Sequence, residues 1–199
     1  MQAVPKASSF RHYILKIVSK AVLGAFVGTA LIVSHAVAID RIPTPPVQAT
    51  FSSPAGNYIF LLSTPDNWKS KKAVGELFHI VDGARTRLWT RTLPHEFGPR
   101  FVVVGNSGEV LLLDEWINVK SRYAIMIIDP GNKLVAHHDF DAVQRVLGVR
   151  GADIVKKARH GIWITSHPIL DGSGEMVSVE TADTELTIHL SDGRISLPK

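Results

Sequence analysis

A mainly β chain with antiparallel pairing is the fold class that this sequence predicts, and three observations carry the prediction. Short apolar runs recur from Phe51 onward through the rest of the 199 residues. Glycine-bearing turn signals separate them: SPAGN, DG, NSG, DPG, DGSG and SDG. A single stretch, residues 141–160, instead spaces its apolar residues as a helix does. Each turn offers Gly, or Asp or Asn beside it, for the positive φ that a tight reversal needs. Many short strands at this spacing pair as an antiparallel sheet of hairpins, either sandwich-like or resembling part of a propeller.

In chain order, the first segment reads as a leader. Lys6, Arg11, Lys16 and Lys20 are the only charges among the first 38 residues. An uncharged apolar run follows at 21–33, then small residues at Ala36 and Ala38. Basic flank, short apolar core and small-residue site together make a secretory signal peptide, with cleavage expected after Ala38 and export to the periplasm or beyond. The alternative is an uncleaved inner-membrane anchor over residues 21–38, just long enough to span a bilayer but weakened by Ser34 and His35. Without those four cations the remaining chain holds eighteen basic and eighteen acidic residues. A neutral body offers no electrostatic footprint for phosphate backbones, so nucleic acid is excluded as a partner. Cysteine is absent, so no disulfide staples the exported part. Residues 39–50, with three prolines, read as an extended tether before one domain at 51–199.

Within that domain strands are expected at 57–63, 76–81, 85–92, 100–104, 109–113, 123–128, 133–137, 162–165, 175–181, 185–190 and 194–197. Leu186, Ile188 and Leu190 alternate with Glu185, Thr187 and His189, the pattern of a strand with one wet face. YIFLL and YAIMII are apolar throughout and are expected to be covered on both faces. The cover expected for them is a two-helix insertion at about 141–160, opened by an Asp cap, broken near Gly148 and Gly151, and stopped by Gly161. Ile154, Val155 and Ala158 are its expected inward residues.

The chain also matches itself. A Gly turn, an apolar strand, an Asp-x-Trp loop, a second apolar strand and a Gly turn with a return strand occur twice, at 53–92 and 105–140. The loops are Asp66-Asn67-Trp68 and Asp114-Glu115-Trp116, and a partial third copy at 171–197 lacks the tryptophan. Stacked strand-and-turn repeats are how propeller blades are built. NSGEVLLLDEW followed by AIMIIDPGNKLVAHHDFD resembles an uncharacterised family of exported bacterial proteins with propeller-like repeats. Glu115, Lys120 and Arg122 depart from that pattern, and the resemblance implies no activity.

Most catalytic signatures are missing: GxSxG, a phosphate-cradling glycine loop, a dinucleotide fingerprint, a cysteine nucleophile. His95-Glu96 begins like a zinc-protease helix, but Pro99 stands where the second histidine belongs. The densest titratable cluster is His137-His138-Asp139, with Asp141 close behind and His160 and His167 as distant additions. Such side chains can ligate a divalent metal or move protons. Adjacent strand residues point to opposite faces, however, and helix capping accounts for the acids. In the Asp-x-Trp loops, Trp68 and Trp116 either stack on a sugar beside Asp66 and Asp114 or close over the sheet with the indole N–H bonded inside. Repetition favours the packing role. Arg145, Arg150, Lys156, Lys157, Arg159 and His160 form a basic helical run, read as a solvated face rather than a surface for anionic envelope polymer or lipid headgroups.

The expected function is therefore an exported, non-catalytic binding or scaffold module. No cofactor is implied, and its partner would be an envelope protein or polymer, with the membrane met only through an uncleaved leader. The alternative is an envelope hydrolase or a metal- or carbohydrate-binding protein that uses His137, His138 and Asp139.

Overall fold

The computed structural model describes residues 44–198. The leader, its cleavage site after Ala38 and the first part of the tether lie outside the described residues. The described chain is mainly β: three four-stranded antiparallel sheets, each made of consecutive strands, with two short helices. The first sheet is β1 (Gln48–Ser52), β2 (Tyr58–Ser63), β3 (Ala73–Val81) and β4 (Ala84–Leu93). The second is β5 (Pro99–Val104), β6 (Val110–Glu115), β7 (Ile125–Ile128) and β8 (Leu134–His138). Helices α1 (Phe140–Leu147) and α2 (Gly151–Lys157) follow. The third sheet is β9 (Ile169–Leu170), β10 (Met176–Thr181), β11 (Thr184–His189) and β12 (Ile195–Ser196).

The middle sheet is the centre of the molecule, and the strand pleat explains why. Every residue of β7, and all of β6 but Glu115, is buried. Successive side chains point to opposite faces. Leu111, Leu113, Ile125 and Ile127 enter a core with α1, α2 and the third sheet. Val110, Leu112, Met126 and Ile128 enter a second core with Phe60, Leu77 and Trp89 of the first sheet. A fully apolar strand has an apolar face for each neighbouring layer, and only the central sheet has two neighbours.

The helices come from the expected stretch. Asp139 caps α1 by accepting the Ala142 N–H at 2.7 Å, and Gly148 ends it in the left-handed region (φ 64°). Phe140, Val143 and Leu147 point inward.

Several expectations are corrected. YIFLL is not covered on both faces: Phe60 and Leu62 are buried, while Ile59 and Leu61 are half-exposed on the outer side of the first sheet. β1 begins inside the expected tether and pairs with β2 from Gln48↔Ser63 to Ser52↔Ile59. Helix α2 stops at Lys157, and Val155 is 47% exposed rather than inward. Residues 162–165 form no strand; His160 and Ile164 instead make an isolated bridge around a turn. Gly161 therefore sits in that turn (φ 64°) rather than at a helix end.

Candidate functional site

Both Asp-x-Trp loops join the second and third strands of their sheets, β2 to β3 and β6 to β7. Between them runs the β4–β5 connection, residues 94–98, which hydrogen-bonds to each. The Phe97 N–H donates to the Lys71 carbonyl at 2.8 Å, and the Trp116 N–H donates to the Gly98 carbonyl at 3.1 Å. These three segments enclose a cavity of about 410 Å³ whose wall includes Lys71, Glu96, Phe97, Arg100, Trp116 and Asn118. Cavities of roughly 300–1,000 Å³, mostly apolar with a few convergent polar groups, are the usual size and character of small-molecule sites.

Backbone strain gathers here. Nine non-glycine residues among those described hold a positive φ, and five of them are Asn67, Trp68, Lys71, Phe97 and Asp114. For bulky side chains such as Phe97 (φ 58°) and Trp68 (φ 67°) this region is disfavoured, and strain of this kind concentrates at binding sites. The surroundings show what holds it. Trp68 is 5% exposed and donates its indole N–H to the Pro45 carbonyl at 2.9 Å. Its ring lies 6.1 Å from that of Phe97, so it backs a residue of the cavity wall. The Ser70 side chain, and then its N–H donating at 2.8 Å, hold the Asp66 carboxyl below the usual carboxylate range. Trp68 thus has the packing role that repetition favours.

The second loop reverses these roles, which corrects the expectation of one role for both. Trp116 is half-buried and lines the cavity, while Asp114 is fully buried. Neither Asp114 oxygen has a hydrogen bond of normal geometry. Burial pushes its carboxyl up to about 7, against the partial opposition of the Glu115 amide and the Arg100 guanidinium. Arg100 Nε approaches Asp114 Oδ2 only to 4.0 Å. The same guanidinium donates through Nη2 to the Trp116 carbonyl and, at 2.8 Å, to Asn118 Oδ1. Arg100 is therefore a clamp on the cavity-forming loop. Gly161 closes over the pair: a Cβ there would collide with Asp114 Oδ2 and come within 3.0 Å of Arg100 Nε. At the mouth, Lys71 and Glu96 form an ion pair of 2.6 Å between well-exposed side chains.

The residues of the histidine cluster go to separate contacts. His138 Nε2 bonds the Gly193 carbonyl at 2.8 Å, Asp139 is committed to its cap, and exposed His137 lies 6.0 Å from the Tyr123 ring. His160 and His167 meet each other at 4.9 Å across Phe101. No group of three ligating side chains suits a metal among the described residues. In the basic run, Arg150 pairs with Asp153 at 2.8 Å and Lys157 with Asp183. The chain matches no protein-family model and no curated protein.

Four residues of the site carried no sequence signal of function. Arg100 reads as an ordinary strand residue, Lys71 and Phe97 as loop residues, and Gly161 as a helix stop. His95, beside the wall, is buried, and burial lowers it to about 4 against the partial opposition of the Tyr123 backbone. It is held as a neutral ring against Tyr123 at 5.5 Å. Its neighbour Glu96 in the zinc-protease-like fragment does reach the site, but as the ion-pair partner of Lys71.

Proposed function

We propose that this chain is an exported binding module of the cell envelope which holds a saccharide ring in the cavity between its Asp-x-Trp loops, without reacting with it. The observation that carries the reading is the strained Phe97 on the same wall as Trp116, beside Arg100 and Asn118. Aromatic faces cover the apolar face of a sugar while the polar groups meet its hydroxyls. Against the hydrolase alternative on His137, His138 and Asp139 stand the bonds of His138 to Gly193 and of Asp139 to helix α1. Among the described lining residues Glu96 is the one carboxylate, and Lys71 already holds it. A general acid and a general base facing one substrate are thus not assembled there. Export rests on the leader, and intact-mass measurement of the secreted protein tests it: the mature chain begins at Ile39, whereas a retained Met1 refutes cleavage.

Binding is tested by titrating the purified protein with a panel of mono- and disaccharides, followed by tryptophan fluorescence and calorimetry. The expected outcome is saturable binding that Trp116→Ala abolishes. Absence of binding across the panel, or binding indifferent to Trp116→Ala, refutes the reading.

A further inference from the structure

The charges around the cavity narrow the ligand class, and this step rests on the saccharide reading above. Two cations and one carboxylate line the wall: Lys71, Arg100 and Glu96. Lys71 and Glu96 neutralise one another at the mouth. That leaves Arg100, whose side chain is only 17% exposed. Its counter-charge among the described residues is Asp114, and their contact is poor on two counts. The closest approach is 4.0 Å, and Arg100 Nε has no hydrogen-bond partner. A half-buried cation facing an acid that burial favours in its neutral form is an uncompensated charge, which is costly unless something pairs with it.

We infer that the cavity binds an anionic sugar, with Arg100 meeting the anion and Trp116 and Phe97 covering the ring. Several features fit one another under this assignment. The fork of Arg100 is already oriented by the Trp116 carbonyl and Asn118, so little side-chain freedom remains to be lost when an oxyanion arrives. Arginine offers planar, paired donors to a carboxylate or a phosphate ester alike. The Arg100 guanidinium lies 5.8 Å from the Trp116 ring, so charge and stacking surface are adjacent. The other charged groups near Arg100 do not cancel it: His160 is itself pushed down by burial and by the His167 and Arg100 charges, and Arg159 adds a like charge. Glu115 turns instead to the Glu96 amide and the Ser121 hydroxyl.

Calorimetry of the purified protein at about pH 6 with glucose, glucuronate and glucose-1-phosphate tests the inference. Glucuronate or glucose-1-phosphate is expected to bind at least about tenfold more tightly than glucose, a preference that one charge-assisted pair supplies. Whichever of the two binds more tightly identifies the anion as a carboxylate or a phosphate ester. Arg100→Gln is expected to weaken glucuronate and glucose-1-phosphate at least about tenfold more than it weakens glucose, which erases the preference. Should that variant fail to fold, Asp114→Asn serves instead: it keeps Arg100 uncompensated at every pH, so the preference persists at about pH 8, where the wild type loses most of it. Equal affinity for glucose and both anions overturns the anion assignment and leaves the saccharide reading standing. Binding of none of the three overturns the assignment, while the wider neutral panel still decides the saccharide reading.

Discussion

The two Asp-x-Trp loops occupy the same connection in neighbouring sheets, yet they divide their labour in opposite ways. In the first, tryptophan is buried and bonded to Pro45 while a half-buried aspartate organises the loop. In the second, aspartate is buried without a proper partner while tryptophan lines a cavity. The difference follows from position in the stack. The β6–β7 loop belongs to the central sheet, and the 158–164 turn closes over it through Gly161, shutting Asp114 from solvent. A motif is thus not a role: the same Asp-x-Trp pair packs inward or lines a cavity according to what lies over it.

The sharpest test compares the tryptophans. Trp68→Ala removes a buried ring and its hydrogen bond, and should cost about 4 kcal/mol. Trp116→Ala should cost about 1 kcal/mol but abolish ligand binding. Urea denaturation of both variants checks this, and equal losses would break the contrast. Next is Gly161→Ala, which places a methyl group against Asp114 and Arg100 at a positive φ and should cost about 3 kcal/mol by the same assay.

A third prediction concerns pH, where the two carboxyls pull in opposite directions. The folded state raises Asp114, so the unfolded chain loses its proton first and stability falls as pH rises from about 3.8 to about 7. Above about 7 that contribution is constant. Because His95, lowered to about 4, opposes this trend between about 4 and 6.5, the measurement is the difference between wild type and Asp114→Asn. Relative to that variant, the wild type should lose on the order of 2 kcal/mol across the interval, allowing for relaxation around the acid. A flat difference profile would show that Asp114 is solvated. The smallest effect belongs to Asp66, which is lowered in the folded state, so its contribution is present at neutral pH and fades as pH drops below about 3.8. Asp66→Ala should shift the urea midpoint slightly at pH 7 and not at pH 2.

Much of the architecture was legible. VLLLD and IMII run apolar without alternation, as strands covered on both faces must, and they are the central pair. The acid before Phe140 and the glycine after Leu147 bound α1 because capping is a local hydrogen-bonding need. YIFLL reads the same way as the central strands but lies in an outer sheet, because apolar composition records what a strand can tolerate and not how many layers reach it. QATFS does alternate, with Ala49 and Phe51 half-buried between exposed neighbours, but it is short and follows three prolines that read as a tether, and its pairing with β2 makes it a strand. The site was half legible: Asp114 and Trp116 were marked by repetition, whereas Arg100, Lys71 and Phe97 look unremarkable until three connections meet.

Turn chemistry and side-chain periodicity act over a few residues, so the sequence by itself determined where this chain reverses, which residues face a core, and that the result is β-rich with one helical interruption. Which aspartate lost its water, and which tryptophan kept an open side, depended on sheets and turns distant along the chain coming to rest against one another. Desolvation is a property of the assembled surroundings, and that is why only the tertiary structure decided where the cavity and its arginine would be.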